Sequence, residues 1–502
     1  MFWSIFGLIT GIKLLFLPAY RSTDFEVHRN WLAITHSLPI SKWYVEATSE
    51  WTLDYPPIFA YFEYALSNFA KYFDENMLKV NNLNYESNET IVFQRLSVII
   101  TDIVYAIGAK RCITQMSPIA SKQRILSAVL LGNFGLLIID HIHFQYNGIL
   151  FGILLLSIAY MCEEKFLKSA FCFAVLLNMK HIFVYVSPVY IVYLLKVYCW
   201  HSSSLQRAML NLTKLGMITI GVTVVSFGPF IHQMPQVLSR LFPFKRGLCH
   251  AYWAPNLWAI YNVADKVASI SLGSVSNSSN TGGLVQEYSH QVLPVIQPHM
   301  TFMVTMLAMI PCIMKIAFGA YDRSTNKFDF VRGIVICGCT SFLFGWHVHE
   351  KAILMTVIPL SILMTINQSE YKHMGFLSIV SYFSLFPLLF KSNLVVIKIS
   401  LLMTHILIIS NGRGSIWPSE CHKRIFPIHE LLYIIGLIGL LFYELCLQYL
   451  LKLDRRLPFL PLLLTSVYCS MGIIYFWLKY YVMFLFSANT SNKNTRKDKK
   501  LN

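Results

Sequence analysis

Apolar runs long enough to cross a bilayer recur along almost the whole chain, separated by short stretches that hold most of its Lys and Arg. A helical crossing needs about 20 mainly apolar residues, and lipid offers no partner to an unpaired backbone group, so each run must be helical. About 14 segments meet this criterion. Their centres lie near Leu8, Val104, Leu131, Leu154, Ala174, Ile191, Ile220, Met306, Ile336, Ile358, Ser381, Leu402, Leu437 and Tyr475. The pairs Ala174/Ile191 and Ile336/Ile358 are tightly spaced, which leaves the count open by about two. The reading is an all-α polytopic membrane protein forming one membrane-embedded unit over residues 1–502. Only 13% of the residues are charged and 55% are hydrophobic. A soluble chain needs about 25% charged residues to wet its surface.

Charge placement orients the spans. With Met1 cytosolic, the cytosolic loops collect Lys110, Arg111, Lys122, Arg124, Lys165, Lys168, Arg207, Lys214, Arg323, Lys327, Arg332, Arg413, Lys423 and Arg424, as the positive-inside bias requires. Lys452, Arg455 and Arg456 run against it. Residues 1–20, with Lys13 inside them, lack a basic n-region and a cleavage site and are expected to stay as the first span. The tail, about 487–502, is then cytosolic and ends in Lys499-Lys500-Leu501-Asn502, the form of a dilysine retrieval signal of the endoplasmic reticulum. Two long loops, about 21–94 and 232–297, fall on the luminal side with the sequons at Asn88 and Asn277; those at Asn211 and Asn367 fall at cytosolic ends. The net charge of +16 is dispersed between apolar runs, which excludes a nucleic-acid surface. The eleven cysteines form neither a disulfide framework nor a metal-ligand spacing.

Polar and aromatic residues concentrate at luminal span ends: Asp24–Trp31, Trp51–Pro57, Asp140–Asn147, Asn178–His181, Phe242–Trp258 and Trp346–Lys351. Ionisable groups at membrane depth are costly and mark function. Each cluster also has a plainer reading. Asp24, Glu26 and Arg29 fit a solvated loop start, and Trp43, Trp51, Trp253 and Trp258 fit the interfacial belt. His141 with His143, and His347 with His349, are spaced i,i+2, which does not put two metal ligands on one helical face. Polar groups at one surface, without internal repeats, argue against a transporter, whose sites lie at mid-membrane. The collection suits glycosyl transfer from a lipid phosphate. A carboxylate takes the acceptor proton, fixed cations receive the departing phosphate, and aromatic faces hold sugar rings. An amphipathic or re-entrant helix is predicted near residues 57–73 from a stripe at Phe59, Phe62, Leu66 and Phe69; a core helix of the luminal loop fits the same stripe.

Ser22–Trp31, Trp51–Pro57, Asp140–Asn147 and Trp346–Lys351 resemble the endoplasmic-reticulum α-1,3-glucosyltransferases that use dolichyl-phosphate-glucose, a branch of the GT-C membrane glycosyltransferases. Ile142, Leu241–Trp258 and Gly345–Lys351 look like the members that add the second glucose, to Glc1Man9GlcNAc2-PP-dolichol, rather than those that glucosylate Man9GlcNAc2-PP-dolichol. The resemblance implies a GT-C type bundle, an inverting single displacement, no metal or other cofactor, and Asp24 as general base. Its implied partners are the two dolichol-linked substrates and the bilayer. Donor phosphate and lipid-sugar contacts are expected from His347, His349, Glu350, Lys351, Arg246 and Lys180. Sugar and acceptor contacts are expected from Glu26, Arg29, Trp51, Asp54, His143, Gln145, Tyr146, Trp253 and Asn256.

Overall fold

A computed structural model of the protein describes residues 1–242, 247–249, 254–272, 290–320, 326–420 and 423–487. Arg246, Trp253, the sequon at Asn277 and the dilysine-like tail lie outside the described residues. The described chain is helical, and its sole β pairing is an isolated bridge between Cys249 and Val348.

Among the described residues, eight helices are long and apolar enough to cross a membrane: Asn88–Met116, Ala120–Phe144, His181–Trp200, Leu205–Leu241, Pro298–Phe318, Ser392–Ile416, Ile428–Leu450 and Leu460–Phe486. Eight of the fourteen expected centres fall on them. The other six fall on helices that are shorter or more polar: Phe2–Leu15, Asn147–Cys162, Phe166–Met179, Asn326–Phe344, Leu354–Leu363 and Gln368–Phe383. Length and hydropathy therefore do not establish a count of fourteen. The physical reason is visible in the packing. Leu354–Leu363 is buried throughout, and Asn326–Phe344 nearly so, so neighbouring helices rather than lipid set what these segments must tolerate.

Five elements position the site. Helix α1 (Phe2–Leu15) leads through a short linker to α2 (Asp24–Ser37). Helix α3 (Pro57–Ala70) starts with Pro57 in its first turn, where the missing N–H is no loss. Helix α4 (Asn88–Met116) starts on Ser87, whose side chain accepts from the Thr90 N–H at 3.0 Å. Helix α5 (Asn147–Cys162) follows the second long apolar helix, Ala120–Phe144, whose last segment, Leu137–Phe144, is wound as a π-helix. The core runs continuously through these elements and the later helices.

The inward face of α3 differs from the expected stripe. Phe59, Ala60, Glu63, Ser67 and Ala70 are buried, Phe62 and Leu66 are half-buried, and Phe69 is exposed. Glu63 turns inward because His28 on α2 meets it, Nδ1 lying 2.7 Å from Oε1. A hydrophobic stripe cannot reveal a carboxylate with a buried partner.

Candidate active site

Asp24 opens α2 where the α1–α2 linker meets the π-wound segment. Ser22 fixes the junction: its N–H (2.9 Å) and its hydroxyl (2.7 Å) both donate to the His143 carbonyl, and Oγ accepts from the Asp24 N–H at 3.2 Å. Three groups then converge on one carboxylate oxygen. Asp24 Oδ2 accepts from Gln145 Nε2 at 2.6 Å and from Lys351 Nζ at 3.1 Å, and His143 Nε2 lies 3.3 Å away. Oδ1 has no hydrogen-bond partner among the described residues, and the side chain is 23% exposed. Burial opposes ionisation here, but the Lys351 ammonium and His143 outweigh it and hold the Asp24 carboxyl well below the usual carboxylate range.

His143 and Gln145 reach the same oxygen although residues two apart do not share a helical face. The device is Phe144, a buried non-glycine residue with φ 86° that ends the π-wound segment; Gln145 is extended. Such backbone costs about 1–3 kcal/mol and persists only where the surroundings hold it. Phe144 packs edge-on against Phe25 and Tyr146.

A chain of side chains leads inward from Asp24. Asn147 Nδ2 donates to Gln145 Oε1 at 2.7 Å and to Asp140 Oδ1 at 2.9 Å, and the Gly148 N–H binds Asp140 Oδ2 at 2.6 Å. Lys180 Nζ donates to Asn147 Oδ1 at 3.0 Å and stands 5.0 Å from the Tyr55 ring centre. Burial pushes Lys180 down to about 8, and Lys351 adds to this, while Asp140, Asp24 and Asp54 oppose it. Lys180 lines a narrow cavity and feels the charge of Lys351, and two such cations favour an anion between them. His28, Tyr55, Gln145, Tyr146, Asn147 and Lys180 line that cavity.

Lys351 arrives on a loop held by the segment around Gly247, Leu248 and Trp258. The His347 N–H donates to the Leu248 carbonyl at 3.0 Å, and its Nδ1 lies 2.7 Å from the Gly247 carbonyl. The Trp258 indole donates to the Gly345 carbonyl at 2.9 Å. His347 has φ 50°, a left-handed conformation unusual for a residue with a Cβ. Its ring stands 5.6 Å from that of His349 and perpendicular to it. Glu350 is buried and begins the turn Glu350–Ile353.

The structure thus brings Asp24, His143, Gln145, Lys351 and Lys180 together, with Tyr146 on the cavity wall and its hydroxyl 2.7 Å from Ser97 Oγ. It uses others differently. Glu26 and Arg29 form a buried pair at 2.7 Å, and Arg29 also binds the Met77 carbonyl at 2.8 Å, fastening the loop between α3 and α4. Trp51 offers its carbonyl to Asn30 (3.0 Å) and Trp31 (3.2 Å), and its side chain is half-buried like that of Asp54. Asn256 caps the helix Leu257–Ser271, its Oδ1 accepting from the N–H groups of Trp258 and Ala259, which ties up the side chain. Asn147, Asp140, Tyr55 and His28 also stand here without having been expected, although all four lie in the polar clusters Asp24–Trp31, Trp51–Pro57 and Asp140–Asn147. Among the described residues, no group of three or more His, Cys, Asp or Glu side chains is arranged to hold a metal ion.

Residues 9–480 match the family model described as the ALG6, ALG8 glycosyltransferase family. The chain is 53% identical, over 96% of its own length and 94% of the relative's, to the probable dolichyl pyrophosphate Glc1Man9GlcNAc2 alpha-1,3-glucosyltransferase of Drosophila melanogaster. It is 46% identical to the mouse (Mus musculus) protein called dolichyl pyrophosphate Glc1Man9GlcNAc2 alpha-1,3-glucosyltransferase, over 95% of this chain and 94% of that one. With the protein of the same name from Arabidopsis thaliana it shares 43% identity over 94% of this chain and 96% of the relative. A match that begins inside the first apolar helix and ends inside the last covers every element that builds the site, and the chain belongs to the ALG6, ALG8 glycosyltransferase family.

Proposed function

We propose that this chain transfers the second glucose, in α-1,3 linkage, from dolichyl-phosphate-glucose to Glc1Man9GlcNAc2-PP-dolichol at the luminal face of the endoplasmic-reticulum membrane. The near full-length relatives carrying that acceptor in their names support the substrate. The observation that carries the chemistry is the Asp24 carboxylate, with Oδ2 held by Gln145 and Lys351 and Oδ1 open.

In this reading Asp24 Oδ1 accepts the proton of the acceptor glucose 3-hydroxyl as that oxygen attacks C1 of the donor glucose. The C1–O bond to phosphate breaks, and dolichyl phosphate leaves with the electron pair. Because the donor is β-linked and the product α-linked, one displacement with inversion suffices. Lys351 and Lys180 neutralise the departing phosphate, with His347 and His349 on the same loop as Lys351 as further donors. These fixed cations give the leaving group its charge partners without a divalent metal, so chelators are expected to leave turnover unchanged. Both termini are cytosolic in this arrangement, and the shorter buried helices complete a bundle of about 14 crossings.

The test is transfer by purified protein in proteoliposomes given dolichyl-phosphate-glucose and either Man9GlcNAc2 or Glc1Man9GlcNAc2 lipid acceptor. Transfer to the monoglucosylated acceptor alone, lost in Asp24→Asn, is the expected result. Transfer to Man9GlcNAc2 instead would move the chain to the first-glucose reaction, and absence of transfer from folded protein would end the enzymatic reading.

A further inference from the structure

Arg95 sits two turns into α4, only 2% exposed, and no carboxylate among the described residues pairs with it. Its guanidinium instead binds backbone carbonyls on two separate segments. Nη1 donates to His141 (2.8 Å), and Nη2 faces Ile142 (3.1 Å), Tyr20 (2.9 Å) and Ala19 (3.3 Å). The first pair of carbonyls belongs to the π-wound segment just before His143 and Phe144. The second pair belongs to the linker just before Ser22 and Asp24. The Arg95 guanidinium carbon also stands 5.7 Å from the centre of the Phe144 ring.

We propose that Arg95 is a positioning residue for the transfer reaction, clasping the segment that delivers Asp24 to the segment that delivers His143 and Gln145. The inference rests on the glucosyl-transfer reading above and deepens it. Besides the contacts of Asp24 itself, Ser22 ties the two segments, binding the His143 carbonyl through its N–H and hydroxyl. A planar fork can serve carbonyls on two chains at once, whereas a lysine ammonium is a compact charge without that geometry. Arg95 also holds the carbonyls that lead into Phe144, whose positive φ lets His143 and Gln145 meet one carboxylate oxygen.

The experiment compares wild type, Arg95→Lys and Ser22→Ala in proteoliposomes, measuring kcat and both KM values across pH. The groups facing Asp24 are Lys351, His143 and Gln145. Loosening His143 removes one influence that lowers the Asp24 carboxyl, so the acid limb of the kcat profile should move to higher pH. Arg95→Lys is expected to lower kcat about 10- to 100-fold, of the order that loss of precise placement produces, with KM values within about twofold. Ser22→Ala should shift the limb in the same direction by less, and it supplies the test if Arg95→Lys does not fold. Loss of active protein alone scales the profile without moving it. Profiles of unchanged shape in the variants, beside an active wild type, would overturn the role of Arg95 and leave the transfer reading standing. A folded wild type that transfers no glucose would remove both.

Discussion

Two aspartates in this molecule carry the same partners and do different things. Asp24 Oδ2 meets Lys351 at 3.1 Å and His143 at 3.3 Å; Asp102 Oδ2, in the middle of α4, meets Lys13 at 2.5 Å and His141 at 2.8 Å. The two histidines stand two residues apart on one π-wound segment and serve opposite sides of it. What separates the sets is access. The Asp102 set has side-chain exposures of 4% (Asp102), 7% (Lys13) and 3% (His141), against 23% (Asp24), 16% (Lys351) and 11% (His143) for the Asp24 set. In the closed set the buried Lys13–Asp102 pair locks α1 to α4. In the open set one carboxylate oxygen remains for an outside group. An acidic, a basic and an imidazole side chain in contact are therefore not a site until one of them can be reached.

The largest effects should come from removing each carboxylate charge. Asp24→Asn is expected to lower kcat by about 10²–10⁴-fold, the usual worth of a general base, with thermal stability close to wild type. Asp102→Asn should do the reverse. It leaves the Lys13 ammonium buried without its counter-charge, a loss of about 3–5 kcal/mol, seen as a lowered melting temperature and reduced yield. If Asp102→Asn melts like wild type, the division into reactive and structural sets fails.

The next effect sharpens the comparison by deleting both partners. Lys13→Met with Asp102→Leu removes the buried pair whole and should recover most of the stability lost in Asp102→Asn, because an apolar pair of similar volume commonly replaces a buried ion pair at little cost. Lys351→Met with Asp24→Leu should recover no activity at all. Glucose transfer and thermal melts on the same preparations check both halves.

The smallest effect concerns pH. Lys180 sits near 8, so it loses its proton as pH rises through that value and one cation facing the cavity disappears. Donor KM should therefore rise severalfold above about pH 8, the range in which this group titrates. Lys180→Arg, which stays charged, should flatten that rise. An unchanged alkaline limb in the variant would remove Lys180 from phosphate binding.

Much of the open set was legible in the sequence because its members fall in polar and aromatic clusters between apolar runs, which the spacing of basic loops led one to expect on one side. His143, Gln145, Lys351 and Lys180 stand out on that ground, whereas the role of Asp24 as base follows from the family resemblance. The closed set was not legible. Lys13 and Asp102 are separated by 89 positions, and hydropathy shows each as an isolated charge in an apolar run. His141 and His143 looked alike, since spacing alone does not tell which side of a strained segment each will face. Asn256 was readable in a second way: an Asn directly before an apolar helical run is an N-cap signal, and here it caps a helix. The span count was illegible for another reason. Hydropathy measures what lipid demands, and several of the central helices meet little lipid.

The tie between Asp24 and Lys351 has a consequence in time. The two residues lie 327 positions apart, and chains are made at about 5–20 residues per second. Asp24 and Gln145, 121 positions apart, can meet early. The lysine is not yet made, so a growing chain carries its aspartate without that cation for roughly 15–65 s at those rates. The site therefore matures in two stages, first a hydrogen-bonded carboxylate and then a charged pair. No chain that stops short of residue 351 can reach the second.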